Sequence, residues 1–139
     1  MTKDLPPAIE LVIPMLPNME LAATKMAQAV ADYMELGEEQ TAEVSMALIE
    51  ACINAFEHGK NKENNIHIRF ILKEDALVIE IIDKGQGFDI SQVEMPEIAK
   101  KLHSDRKRGW GLQLMKELMD DVQIDSNEEG TIITMIKKR

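Results

Sequence analysis

The sequence predicts an α/β protein built as a two-layer sandwich, in which a mixed, mostly antiparallel sheet carries its helices on one face. Two observations lead to this prediction. Short apolar segments come in pairs that are joined by polar turns, which favours hairpins. Longer segments between them place apolar residues at helical spacing. Because strands and helices do not strictly alternate, one layer of helices on one sheet fits best. The 139 residues are expected to form a single domain, residues 1–139, around one core.

The N-terminal segment is predicted to form an edge strand followed by a helix. Residues 9–13 alternate loosely and end at Pro14, a residue that is tolerated at sheet edges because it cannot donate to a ladder. Asn18 suits the N-cap of a helix that runs to about Leu36. Gly37 follows as the residue expected to stop that helix.

A second helix and a hairpin come next. The helix is predicted to cover about residues 38–58 and to be closed by Gly59. Residues 66–73 and 77–83 are two strand-like runs that are joined by a short polar turn. This pattern predicts an antiparallel pair.

The C-terminal half begins with the least regular part of the chain. Residues 90–108 are polar and irregular, with room for a short helix around residues 93–102. Residues 111–121 carry leucine and methionine at helical spacing, which predicts another helix. Residues 122–125 and 131–136 are expected to form the final strand pair.

Composition and charge exclude several classes of function. The formal net charge is −9, whereas a nucleic-acid surface needs a basic face. No apolar run approaches the ~20 residues that span a bilayer, and the N-terminus lacks a secretory pattern, so a cytoplasmic protein is expected. Cys52 is the sole cysteine, which excludes an internal disulfide and a cysteine-based metal site. The basic residues 137–139 are interpreted as a solubilising end.

The first candidate motif is EACINAFEHG at residues 50–59. Residues four apart on a helix lie one turn apart on the same side, so Glu50, Asn54 and His58 form one stripe. A carboxylate and an amide oxygen at this spacing suit Mg²⁺, a hard cation that prefers oxygen ligands. The alternative interpretation is the solvated face of an amphipathic helix.

The second candidate motif is Asp83 with the glycines that follow it. Side chains alternate along a strand, so Asp83 continues the apolar face of residues 77–81. A carboxylate is expensive to bury there unless a partner donates hydrogen bonds to it, as the 6-amino group of adenine would. Gly85 and Gly87 permit close approach of a ligand. The alternative is a common Asp-x-Gly turn.

The third candidate motif is RGWGL at residues 108–112, directly before a predicted helix. Glycines at a helix N-terminus let backbone N–H groups approach a phosphate, and the helix dipole favours its charge. Lys107, Arg108 and Arg106 are placed to add side-chain contacts. The segment matches neither the Walker P-loop nor the Rossmann pattern.

These motifs in this order resemble the GHKL superfamily of ATPases and kinases, whose Bergerat-type ATP-binding fold is a sandwich with a mobile lid. The resemblance covers nearly the whole chain and closes with GT at residues 130–131. The closer likeness is to the bacterial anti-sigma-factor serine/threonine kinases, which share the leading strand and two helices. They also share the EAxxNAxxHG form of the first motif and the RGxGL form of the third. The lid would be residues 90–108.

The resemblance assigns roles by position. Glu50 matches the general base, Asn54 the ligand of Mg²⁺, and Asp83 the adenine-binding aspartate, with Thr131 supporting it through a hydroxyl or a water. The other positions expected to contact the nucleotide are Gly85, Gly87, Lys107, Arg108, Gly109, Gly111 and Leu112.

The function that the resemblance implies is an ATP-dependent serine/threonine kinase that acts as an anti-sigma factor. Such a protein binds a sigma factor, phosphorylates an anti-sigma-factor antagonist and forms a homodimer. No nucleic acid and no membrane are expected among its partners. Trp110 stands where a smaller residue is usual, and the lid is short. These two features leave open a second hypothesis, a non-catalytic, nucleotide-gated switch protein of the same fold.

Overall fold

The computed structural model describes residues 5–58, 64–83, 106–127 and 130–139. Most of the predicted lid, the proposed helix at residues 93–102 and Gly59 lie outside these ranges. The elements in chain order are β1 (Ala8–Pro14), α1 (Met19–Tyr33), α2 (Glu38–His58), β2 (Asn65–Leu72), β3 (Ala76–Asp83), α3 (Arg106–Leu118), β4 (Asp121–Asn127) and β5 (Gly130–Lys138).

The five strands form one sheet in the order β1-β2-β3-β5-β4. Every neighbouring pair is antiparallel, so the predicted antiparallel majority extends through all of the sheet that the structure describes. Both predicted hairpins are confirmed. The edge position of β1 is confirmed as well, and Pro14 ends that strand.

The helices cover one face of this sheet, as predicted. α2 packs between α1 and α3 and contacts β3 and β5, while α1 lies over β1 and β2. Strand β2 shows the two faces clearly, because Ile66, Ile68 and Phe70 are fully buried while the residues between them are half exposed. Leu48 of α2 and Met115 of α3 are fully buried too. The core therefore fills the space between the two layers.

Helix α1 ends earlier than predicted, and another residue provides its stop. Asn18 occupies the N-cap position, but its side chain makes no capping hydrogen bond and its backbone is left-handed. The helix ends at Tyr33, and Glu35 adopts φ 61°. The N–H groups of Glu35 and Leu36 donate to carbonyls of the last turn at 3.0 Å each. This is a Schellman ending with glutamate in the left-handed position, so the role assigned to Gly37 was wrong.

Two further features differ from the sequence interpretation. Helix α3 begins at Arg106 rather than near residue 111. Lys137 is buried, with 6% of its surface exposed, so the basic C-terminal residues are not simply a solubilising end. No helix in the described part of the chain is both long and apolar enough to cross a bilayer.

Candidate functional site

Buried polar side chains point to the site. Five polar or charged residues among those described are buried: Thr24, Asn54, Asp83, Thr131 and Lys137. The Thr24 hydroxyl donates to the Leu21 carbonyl at 2.8 Å, and Lys137 pairs with Glu43. The remaining three are residues that the motifs had singled out. Polar side chains are uncommon inside a hydrophobic core, so the grouping of these three requires an explanation.

The stripe on α2 provides the first of these three. Asn54 is 4% exposed, and its neighbours Ala51, Cys52 and Ala55 are also buried. Its Nδ2 has no hydrogen-bond partner among the residues that the structure describes. Glu50, one turn earlier, is half-buried. A solvated helix face does not account for Asn54, whereas a ligand that accepts from Nδ2 would.

The second and third lie opposite each other, at the end of β3 and the start of β5. Asp83 and Thr131 are direct partners across the β3–β5 pair and are 3% and 4% exposed. Both face the helices, because Asp83 follows the alternation of Ile79 and Ile81, and Thr131 that of Ile133. The strand register therefore places the two residues side by side, and the predicted support of Asp83 by the Thr131 hydroxyl stays a prediction.

Ser126 extends this row and was not predicted from the sequence. It is the partner of Thr131 across the β4–β5 pair, and the two hydroxyl oxygens lie 2.9 Å apart in a hydrogen bond. The hydrogen bond joins Thr131 to β4, the neighbour of β5 on the side away from β3. The closeness in sequence of the two predicted strand runs, residues 122–125 and 131–136, was the available signal, since a short connection restricts the register of a strand pair.

The topology brings the α2 stripe to this end of the sheet. Asn54 lies one turn before the end of α2, and the chain soon enters β2 at Asn65. Because β2 and β3 are antiparallel, the start of β2 and the end of β3 lie at the same sheet end. The start of β5 lies there too, opposite Asp83. The three buried polar residues therefore share one end of the interface between the layers.

The third motif occupies the beginning of α3, and here the prediction needs a correction. Gly109 and Gly111 lie within the first two turns of the helix rather than before it. Gly109 is the fourth helical residue and Gly111 the sixth, so an α-helical Gly111 donates to residue 107. The N–H groups of this helix that lack an intrahelical acceptor are those of the preceding residues, 106–108. Leu112 is 8% exposed and belongs to the hydrophobic core, so only its backbone is available to a ligand.

Some predicted contacts lie outside the described residues. Gly85 and Gly87 follow the end of β3 in a part of the chain that the structure does not describe. The backbone of Lys107 and Arg108 is helical, and the predicted contacts of their side chains remain predictions.

Cys52, two residues before Asn54 on α2, carries a buried free thiol. Burial, reinforced by the negative charge of Glu20, raises the pKa of Cys52 from 9.0 to about 12. A protonated thiol is a poor nucleophile and metal ligand. Among the described residues no group of three His, Cys, Asp or Glu side chains could hold a metal ion. A metal here would be coordinated by the Asn54 oxygen together with oxygens of a bound substrate or of water. Mg²⁺ commonly binds proteins through few protein ligands in this way.

Comparisons with known proteins agree with this geometry. The family model of the histidine kinase-like ATPase domain matches residues 13–137. A relative named serine-protein kinase RsbW, from Oceanobacillus iheyensis, is 33% identical over 93% of this chain and 85% of its own length. A relative named anti-sigma F factor, from a Thermoanaerobacter species, is 32% identical over 86% of this chain and 85% of its own.

A solved structure shows the same fold. The crystal structure of the RsbU and RsbW domains of a Mycobacterium tuberculosis protein superposes on 96% of this chain with a TM-score of 0.71. The aligned region is 33% of that longer chain, and the sequence identity is 18%. At this identity the likeness concerns the fold alone, and it supports the two-layer sandwich.

Proposed function

Since this chain belongs to the histidine kinase-like ATPase domain family, we propose that it is an ATP-dependent protein serine/threonine kinase that acts as an anti-sigma factor in the cytoplasm. The observation that carries the proposal is the buried pair Asp83 and Thr131, which shares one end of the layer interface with Asn54. Relatives named serine-protein kinase match over more than nine-tenths of this chain. These names support a serine kinase.

Asp83 recognises adenine in this proposal. Its carboxylate is buried at the end of an apolar strand face, and a carboxylate can accept several hydrogen bonds. The exocyclic amino group of adenine donates one of them. Thr131 lies directly opposite on β5, and its hydroxyl forms a hydrogen bond with Ser126 at 2.9 Å. In this proposal Thr131 supports Asp83 through that hydroxyl or through a water.

Asn54 holds Mg²⁺ and the phosphates. The residues fit the ion, because an amide oxygen is a hard ligand and the buried Nδ2 still lacks an acceptor within the described chain. A phosphate oxygen would satisfy Nδ2 while Oδ1 faces the metal. Bound Mg²⁺ would supply charge neutralisation at the phosphates. The N–H groups in the first turn of α3 that lack helical acceptors can donate to a phosphate. The helix dipole also favours the negative charge that develops there during transfer.

Glu50 acts as the general base. It lies one turn from Asn54 on α2 and is half-buried, so it is reachable by a substrate protein. Its carboxylate takes the proton of the attacking serine or threonine hydroxyl, a role that contributes typically ~10²–10⁴-fold. Positioning and charge neutralisation provide the rest of the catalysis.

The substrate in this proposal is an anti-sigma-factor antagonist, and the sequestered client is a sigma factor. The protein works as a homodimer. The test is a pull-down from the source organism with mass-spectrometric identification, followed by incubation of the recovered antagonist with MgATP. We expect one phosphate on a serine or threonine of the antagonist. If the protein binds MgATP and the antagonist but modifies nothing, the non-catalytic switch hypothesis replaces the kinase.

A further inference from the structure

Lys137 lies on the inner face of β5 and connects the sheet to two helices. Its side chain is 8% exposed. The ammonium donates to Oε1 of Glu43 on α2 at 2.7 Å and to the carbonyl of Leu118, the last residue of α3, at 2.6 Å. A buried charge is tolerated only when it is paired and hydrogen-bonded. A cation at a helix C-terminus is also favoured by the helix dipole.

Further hydrogen bonds gather at the same place. The N–H of Asp120, just after α3, donates to the Ile136 carbonyl at 2.9 Å. The N–H of Lys138 donates to Oδ2 of Asp120 at 2.6 Å, and Nε2 of Gln40 on α2 donates to the Lys138 carbonyl at 3.2 Å. The end of α3 and the beginning of α2 are therefore fastened to the end of β5.

The opposite ends of the same two helices carry the candidate site. Glu50 and Asn54 lie in the C-terminal half of α2, and the glycine motif opens α3. The 13 residues of α3 make a rod about 20 Å long. A tilt of about 5° at its anchored end would displace the first turn by about 1.7 Å. Misplacement of reacting groups by ~1 Å can cost ~10²-fold in rate.

We propose that Lys137 is a positioning residue for phosphoryl transfer. By holding the C-terminal end of α3 against α2, it sets the distance between the first turn of α3 and Asn54 at the far end. This inference rests on the proposed kinase function. A clamp that served stability alone would lower stability without a specific effect on the transfer step.

The experiment compares variants with the intact chain and uses the antagonist recovered in the pull-down as phosphate acceptor. Lys137→Met removes the ammonium. Lys137→Met combined with Glu43→Leu also removes the carboxylate that would otherwise be left unpaired, so the double variant is expected to fold well. Lys138→Met is the matched control, because Lys138 is adjacent but exposed. MgADP binding reports on the nucleotide site without the transferred phosphate.

We expect kcat for phosphoryl transfer to fall at least tenfold in both Lys137 variants, while the Kd for MgADP stays within about twofold of the parent. Lys138→Met should match the parent in both quantities. The inference is overturned if a folded Lys137 variant transfers phosphate at the parental rate, or if MgADP binding weakens as much as kcat falls. It is also withdrawn if neither Lys137 variant folds, because Lys137 would then be a folding determinant alone. A parent that transfers no phosphate would instead refute the proposed function.

Discussion

Polar residues cross the sheet in a row on each face, and the two rows differ in their access to water. On the outer face, Glu10, Arg69 and Glu80 are successive partners on β1, β2 and β3. Arg69 lies 3.2 Å from Glu80 and 3.7 Å from Glu10, with 41%, 25% and 73% of the respective side chains exposed. On the inner face, Asp83 and Thr131 are almost completely buried.

The comparison helps to distinguish polar residues that belong to a binding site from polar residues that only lie on the surface. Each side chain of the outer row is at least one-quarter exposed to water, so its ion pairs are partly screened and contribute little. A buried carboxylate has no such solvent, and it lowers stability unless protein or ligand groups compensate. A polar row that persists inside a core is therefore a stronger indication of a binding site than a more highly charged row outside it.

The largest expected effect concerns the helix beside the inner row. Glu50→Gln should slow phosphoryl transfer to the antagonist by ~10²–10⁴-fold, because the amide cannot accept the hydroxyl proton. MgATP affinity should remain close to that of the parent, as measured by calorimetry. Asn54→Ala is the matched variant and should instead weaken magnesium-dependent ATP binding. If both variants lose binding equally and neither shows a specific rate defect, the two roles are wrongly assigned.

The second prediction compares two carboxylates of the same strand on opposite faces. MgATP at ~100 times its Kd should stabilise the parent by roughly 2.7 kcal/mol and raise Tm. Asp83→Asn should abolish this shift, because the amide changes the hydrogen-bonding pattern offered to adenine. Glu80→Gln, on the outer face, should keep it. An Asp83→Asn variant that binds ATP as tightly as the parent would remove Asp83 from the site.

The third prediction uses the buried thiol as a probe of the inner layer. The pKa of Cys52 is raised from 9.0 to about 12, so the folded state favours the protonated thiol. The resulting stabilisation is complete below pH 9 and is lost as the pH rises towards 12, by about 1.4 kcal/mol per pH unit. Urea unfolding at pH 8 and pH 10 should show this loss in the parent relative to Cys52→Ala at the same pH. Parallel pH profiles for the two proteins would contradict the burial of the thiol.

The smallest effect is expected on the outer face. Arg69→Met should change the free energy of unfolding by less than about 1 kcal/mol, because exposed ion pairs contribute roughly 0.2–1 kcal/mol. A double-mutant cycle with Glu80→Gln, followed by urea unfolding at low and high salt, measures the coupling directly. A coupling energy above about 2 kcal/mol would mean that the outer row is as well shielded from water as the inner one.

Local sequence patterns determined most of the fold and the composition of the site. The limits of α2 and the pairing of β2 with β3 match the prediction, because hydrophobic periodicity and turn residues act over a few neighbours. The burial of Asp83 was also predictable, since strand alternation alone assigns it to the apolar face. Asn54 was less certain, because the same helix pattern fits a solvated stripe until the packing of α2 is known.

Tertiary structure decided the features that depend on distant partners. Glu43 and Lys137 are 94 residues apart in the chain, so no local pattern shows that a lysine on the inner face of β5 has a carboxylate partner on α2. The hydrogen bond between Ser126 and Thr131 likewise exists because the β4–β5 register makes them partners. The physical reason is that the type of a residue does not by itself determine whether the residue is buried. It depends on which elements cover the residue after folding, and that coverage sets whether a charge is solvated or must be paired.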